Sequence, residues 1–287
     1  YGITTLYEYR PADGRCVGLK PGAQTDYTGW LFRISPVHLA VNADGFRGTR
    51  RARAKSDRVY RILLLGDSYA FGQAVNEQDT ISARLERTLS RCGDRRVEVL
   101  NFGVPGLNIE EILDHYRRFA GQWSHDLVLY VAYKNDLDGP LCRSGRSFEI
   151  LDSRALQSLN EHVYMSRVVY ISYLLAAAAK ESSDPAAPGR LRAAEAAFVD
   201  AAGRRGARLG VIMLGDPLLK QSAGATRWVP PVPVLDVSQL AQSNLVVHGE
   251  GHLNAAAHRM LAMQAARWIR AEFCGEPGPA AAVAGRR

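Results

Sequence analysis

The sequence predicts an α/β domain on a parallel sheet. Three observations predict it: five short apolar runs of strand length, helical patterns between them, and turn residues at the carboxyl end of each run. Arg61-Ile62-Leu63-Leu64-Leu65 ends at Gly66 and is the first run. A continuous apolar run bounded by a turn suits a strand covered on both faces. Val97 to Val104, Leu127 to Tyr133, Leu209 to Leu214 and Val232 to Val237 supply the other four. Thr80 to Cys92 carries Ile81, Leu85 and Leu89 at helical spacing, and Ile109 to Trp123 carries Ile112, Leu113, Tyr116 and Phe119. Leu191 to Arg205 is alanine-rich with an amphipathic face, and Ala255 to Phe273 closes the domain. Strands that alternate with helices form a parallel sheet through right-handed crossovers.

Outside this alternation, residues 1 to 58 are rich in Gly, Pro, Asp and Tyr, with turns at Pro11-Ala12-Asp13-Gly14, Pro21-Gly22 and Ala43-Asp44-Gly45. They predict an irregular or short-stranded arm on the core. The domain proper is expected over 59–274, with an insert at about 138–183 that includes a buried helix from Val168 to Ala179. The tail from Gly275 is Gly/Pro/Ala-rich and predicts disorder.

The 287 residues carry 47% hydrophobic and 23% charged side chains, a globular composition. The net charge of +7 comes from dispersed arginines such as Arg50, Arg51, Arg53, Arg204, Arg205 and Arg208, without a basic stripe interleaved with aromatics. Nucleic acid is therefore not an expected partner; an anionic substrate or membrane surface stays open. No stretch reaches the ~18 apolar residues of a membrane span. The chain starts at Tyr1, from which a removed signal peptide or anchor is expected. A periplasmic or extracellular location, with membrane association through a segment outside this chain, goes with that expectation, and a cytoplasmic one stays open. Cys16, Cys92, Cys142 and Cys274 form no C-x-x-C pair. They make up to two disulfides in an oxidising compartment or stay free in a cell.

Ligands of open parallel sheets lie at the carboxyl ends of the strands. Four strand-end loops carry chemistry there. Gly66-Asp67-Ser68 presents a hydroxyl at a helix start, where serine also serves as an N-cap. Asn101-Phe102-Gly103-Val104-Pro105-Gly106-Leu107-Asn108 offers backbone N–H groups at glycine, or a turn ahead of an Asn108 cap. Tyr133-Lys134-Asn135-Asp136 offers a side-chain amide, or turn chemistry. His248-Gly249-Glu250-Gly251-His252-Leu253-Asn254 places an imidazole before the last helix. His248 and His252 have the i, i+4 spacing of metal ligands, but the intervening glycines argue against a helix and a metal; His258, inside the helix, reads as structural. A hydroxyl, an imidazole and several N–H donors are what acyl transfer requires. The imidazole takes the serine proton and the donors hold the tetrahedral oxyanion.

From about Asn42 to Trp268 the sequence resembles the SGNH/GDSL hydrolase superfamily. The resemblance rests on four blocks in order: Gly66-Asp67-Ser68, Asn101 to Asn108, Asn135-Asp136, and His252-Leu253-Asn254. Val41-Asn42-Ala43-Asp44-Gly45-Phe46-Arg47-Gly48 resembles a lead-in of one bacterial subgroup. The resemblance implies a flavodoxin-like three-layer α/β/α sandwich with five parallel strands. It also implies Ser68 as nucleophile, His252 as base, and an oxyanion hole from Ser68, Gly106 and Asn135, with Gly106 rather than Gly103 as the oxyanion glycine. Two positions depart from the family. The usual aspartate three residues before the histidine is Gly249, so Glu250 is the implied partner of His252, with Asp236 as a fallback. Lys134 stands where glycine is usual. The implied activity is hydrolysis of a carboxylic ester, an acyl or acetyl group on a lipid or carbohydrate, with no cofactor. An O-acyltransferase acting on a polysaccharide or other secreted polymer, and a non-catalytic binding module, are the alternatives.

Overall fold

The structure is a computed structural model that describes residues 2–10, 15–29, 34–133, 136, 187–214, 232–241, 245–248 and 251–275. The expected insert at 138–183, its helix and the tail beyond residue 275 lie outside them.

The amino-terminal arm is two antiparallel hairpins. A 3-10 turn (Gly2–Leu6) leads into β1 (Tyr7–Arg10) and β2 (Arg15–Leu19), and β3 (Gln24–Tyr27) pairs with β4 (Val37–Ala40). Then come β5 (Val59–Gly66), α1 (Ser68–Phe71), α2 (Ile81–Leu89), β6 (Arg91–Cys92), β7 (Arg95–Asn101), α3 (Ile109–Arg118), β8 (Leu127–Ala132), α4 (Ala187–Gly203), β9 (Arg208–Met213), β10 (Val234–Asp236) and α5 (Ala255–Phe273).

The main sheet has the order β10-β9-β8-β5-β7-β6. Its five parallel strands, numbered along the chain, run 2-1-3-4-5, a doubly wound order whose switch point lies between the first and third strands. Here those are β5 and β8, so the fold itself points to the residues that follow them. The sheet has six strands where five were expected. The sixth is antiparallel: α2 stops at Leu89, three residues short of the expected helix, and Gly93-Asp94 turns Arg91-Cys92 back onto Arg95-Arg96. Gly93, at φ +61°, makes that reversal.

Both faces of the sheet are covered. Ile62 and Leu64 of β5 pack with Ile81, Leu85 and Leu89 of α2 and Leu261, Ala265 and Ile269 of α5. Leu63 and Leu65 point the other way, among Ile112 and Tyr116 of α3 and Phe198 of α4. All four β5 residues are fully buried, which explains the unbroken apolar run; each contributes about 1.5–3 kcal/mol relative to exposure. The arm joins the second face, adding Leu6, Leu19, Tyr27, Leu39 and Phe46 to its core. Cys92 and Cys274 form a disulfide that fastens β6 to the end of α5. The side chain of Cys16, and Cys142, lie outside the described residues.

Candidate active site

Gly66 ends β5 at φ +150°, and a Cβ there would lie 2.8 Å from Ala70 Cβ and 2.9 Å from Val131 O. Only glycine fits. Asp67, fully buried, is the N-cap of α1, and its Oδ1 accepts from Tyr69 N at 2.9 Å. Ser68 is thus not the cap but the first helical residue, which leaves its side chain for other work. Ser68 Oγ lies 2.7 Å from His252 Nε2. The Ser68 N–H has no acceptor among the described residues.

A four-residue helix cannot hold itself, because nucleation fixes several dihedrals for one hydrogen bond. Neighbours hold α1 instead. Asn101 Nδ2 donates to Ala70 O (2.9 Å) and Ser82 Oγ (3.1 Å). Arg47 Nη1 donates to Phe71 O (2.9 Å) and Gly72 O (2.7 Å), and its Nη2 to Val75 O (2.7 Å). Arg47 is almost fully buried, and burial lowers its pKa to about 10, so it is charged at neutral pH.

Of the two glycines in the second loop, Gly103 is a packing residue. Its N–H is held by Asn101 Oδ1 at 3.0 Å, and a Cβ there would sit 2.4 Å from Phe71 N. Gly106 is exposed, at φ +85°, and its N–H has no acceptor among the described residues. The loop is tied to β5 by Val104 N to Gly66 O (3.0 Å) and to the arm by Tyr7 Oη donating to Pro105 O (3.2 Å). Asn108 does cap α3, in a reciprocal capping box with Glu111.

After β8, Asp136 is bonded back onto the strand end. Its Oδ2 accepts from Tyr133 N (2.7 Å) and from Tyr130 Oη (2.5 Å). Burial first, and then the Asp136 carboxylate, push the Tyr130 pKa well above its ordinary value, so this hydroxyl stays a donor. Lys134 and Asn135 themselves lie outside the described residues.

The histidine comes from a tight turn. Val247 N donates to His252 O (2.7 Å), Asn254 N to Leu245 O (3.0 Å), and Gly251 turns the chain at φ +89°. Asn254 Oδ1 caps α5 through Ala257 N at 3.0 Å. The residues described on either side of the turn are not helical, so His248 and His252 do not share a helix face as i, i+4 ligands do. Tyr69 braces the turn: its Oη donates to Gly251 O (3.2 Å), and its ring packs 5.1 Å from that of His252 and 4.0 Å from that of Tyr133. His258 is buried in α5, where its Nδ1 accepts from Ile81 N at 3.1 Å.

No protein-family model matches this sequence, and no curated protein matches it. Solved structures do match. TesA aligns with a TM-score of 0.50 and 14% identity, over 73% of this chain and 98% of its own. A two-domain esterase active on acetylated mannans aligns with a TM-score of 0.50 and 10% identity, over 77% of this chain and 51% of its own. A GDSL-like lipase from Bacteroides thetaiotaomicron aligns with a TM-score of 0.47 and 11% identity, over 77% of this chain and 93% of its own.

This chain has the SGNH hydrolase fold. On that fold Ser68 and His252 are brought into hydrogen-bond contact, and Gly106 lies in the loop after β7, the strand that pairs with β5. Glu250 and Asn135 lie outside the described residues. Asp236, the fallback acid, is exposed at the end of edge strand β10, and its Oδ1 accepts from Ser238 N at 3.0 Å. Sequence reasoning missed Asp67, Tyr69, Asn101 and Asp136 as the residues that hold the site. Asp67 and Asn101 carried a signal, being short polar side chains at strand ends that bond the backbone two residues on. Tyr69 acts on the His252 turn from 182 residues away, which local pattern does not show, and Asp136 bonds back onto Tyr133 and Tyr130 just before it in the chain.

Proposed function

We propose that this SGNH-fold protein is a serine ester hydrolase acting on an acyl or acetyl ester of a lipid or carbohydrate. The contact between Ser68 Oγ and His252 Nε2, at 2.7 Å, carries the proposal. Ser68 attacks the ester carbonyl carbon as His252 Nε2 takes the hydroxyl proton. The negative charge on the carbonyl oxygen is held by the N–H groups of Ser68 and Gly106, both without acceptors among the described residues, and by the Asn135 amide. Collapse expels the alcohol, which leaves with the proton from His252, and an acyl-enzyme remains on Ser68. Water, deprotonated by His252, then releases the acid. Glu250, two residues before His252 in the sequence, orients the imidazole. The Cys92–Cys274 disulfide supports a periplasmic or extracellular site of action.

Ser68→Ala tests the reading. Hydrolysis of p-nitrophenyl acetate falls by about 10⁴-fold or more, and labelling by a fluorophosphonate, seen as a mass shift on Ser68, disappears. A Ser68→Ala protein that hydrolyses the ester at the parent rate overturns it.

A further inference from the structure

Among the described residues Arg47 is a buried cation that no carboxylate contacts: its guanidinium donates only to main-chain carbonyls, its Nε has no partner, and Glu77 acts on it through charge alone. Burying a charge without a counter-charge is costly, and a well-packed apolar side chain of like volume is often at least as stable. Core packing is therefore a poor account of this arginine. The carbonyls it binds are specific. Phe71 O and Gly72 O end the short helix that begins at Ser68, and Val75 O closes the turn behind it.

We propose that Arg47 is a positioning residue for Ser68, clamping the nucleophile's helix from its carboxyl end. Gly72 N and Gln73 N both donate to Ser68 O, at 2.9 and 3.2 Å, so the backbone that Arg47 grips at Gly72 is bonded directly to Ser68. Asp67 fixes the other end of the helix through Tyr69 N. A planar guanidinium fork suits such a clamp, with Nη1 spanning two carbonyls while Nη2 reaches a third.

Arg47 is itself held firmly. Its backbone N–H donates to Asn101 O at 3.2 Å, next to the Asn101 amide that binds Ala70 O, and its guanidinium lies 4.8 Å from the Phe71 ring centre. Phe46 beside it packs on Phe102 and Trp123. Asn42 Oδ1 accepts from Asp44 N (2.9 Å) and Asn42 Nδ2 donates to Gly48 O (2.8 Å), closing the loop that presents Arg47. The Asn42 to Gly48 segment is thus one unit that reaches from the arm to the nucleophile.

The inference rests on Ser68 being the nucleophile, and the experiment separates the two. The rate of fluorophosphonate labelling and the kcat and KM for p-nitrophenyl acetate are measured on the parent, Arg47→Gln, Arg47→Lys and Glu98→Ala, all below their melting temperatures. Misplacement of a reacting group by about 1 Å costs up to about 100-fold. The labelling rate and kcat of Arg47→Gln are expected to fall together by about 10- to 100-fold with KM little changed, and Arg47→Lys, which keeps the charge but loses the fork, is expected to recover part of the loss. Glu98→Ala, a destabilised control at the far end of the sheet, keeps both rates. Parent rates in folded Arg47→Gln overturn the inference; if that variant does not fold, parent rates in Arg47→Lys do. A parent protein that neither labels nor hydrolyses the ester overturns the proposed function instead.

Discussion

The two ends of the central sheet treat charge in opposite ways. At the amino ends of the strands the charges neutralise one another. Arg61 of β5 sits opposite Glu98 of β7 in the sheet register, and donates to its Oε2 from Nε (3.0 Å) and Nη2 (2.8 Å). Glu98 also takes Arg96 at 2.6 Å, and Asp126 takes Arg95 at 2.8 Å and Lys55 at 3.1 Å. Burial pushes the Glu98 carboxyl up, but hydrogen bonds from Arg61 and Arg96 and the charges of Arg61 and Arg51 outweigh it, so its pKa falls below the usual value. At the carboxyl ends, main-chain dipoles do the holding. Arg47 is bound by carbonyls, Asp67 and Asn101 accept from backbone N–H groups, and the N–H groups of Ser68 and Gly106 have no acceptor among the described residues. One end closes its polar groups in ion pairs, and the other binds them through the main chain. Stability should therefore be lost at the amino end without loss of activity, and activity at the carboxyl end out of proportion to stability.

Glu98→Ala is the largest test of the amino end. It strands the buried Arg61 guanidinium, which among the described residues keeps only the carbonyls of Ala52, Arg53 and Ser124. Removing one partner of a buried pair costs about 3–5 kcal/mol. Urea unfolding should show that loss, while the ester hydrolysis rate at 25 °C stays within about twofold of the parent, far from the effect of Ser68→Ala. A collapse of activity in folded Glu98→Ala would mean that the two ends are coupled.

The disulfide sharpens the same contrast along one helix. α5 starts two residues beyond His252's neighbour Leu253 and runs 19 residues to Phe273, about 28 Å at 1.5 Å per residue. Cys274 anchors its far end to Cys92. Replacing both cysteines by serine should cost about 2–4 kcal/mol, read as a lower denaturation midpoint, because the bridge constrains a long stretch of the unfolded chain. Hydrolysis by the folded protein should not change, since the turn that carries His252 is fixed by its own backbone bonds and by Asn254.

The sequence made the same distinction legible unevenly. The three central strands β5, β8 and β9 were visible because burial on both faces writes a nearly unbroken apolar run, while β7 and edge strand β10 showed only as shorter apolar stretches. β6 was not visible, because a two-residue strand has no periodicity; it is made by Gly93 and by pairing with β7. Ser68 was ambiguous beside Asp67, since both residue types cap helices, and only the observed bond from Tyr69 N to Asp67 assigns the cap. Gly103 and Gly106 looked alike as turn glycines, yet a close approach of Phe71 demands the first and a positive φ the second. Arg47 stood out only as part of the lead-in block. A lone arginine after an aromatic has the local pattern of a surface residue, and its contacts lie 24 to 28 residues further along the chain.

The smallest effect belongs to a group between the two ends. His258 is buried on α5 and stays neutral: burial first, then the charges of Arg47 and Arg84, lower its pKa to about 3. The unfolded chain binds this proton near pH 6.5, so between pH 6.5 and 3 the unfolded state holds more protons than the native one. The stabilisation from a neutral His258 is complete above pH 6.5 and declines as the pH falls toward 3, by at most about 1.4 kcal/mol per pH unit. Between about pH 6.5 and 5 the loss should reach about 2 kcal/mol, above the range where Glu98 begins to protonate; Glu195, whose carboxyl burial raises to about 7, titrates near this window, but equally in the parent and in a His258 variant. His258→Asn retains an acceptor for Ile81 N but cannot take a proton, so its denaturation midpoint should depend less on pH over that window. An equal pH slope in the two proteins would show that the native state accepts the proton on His258 after all. The buried cation at Arg47 makes that costly, since its charge opposes a second positive charge on His258.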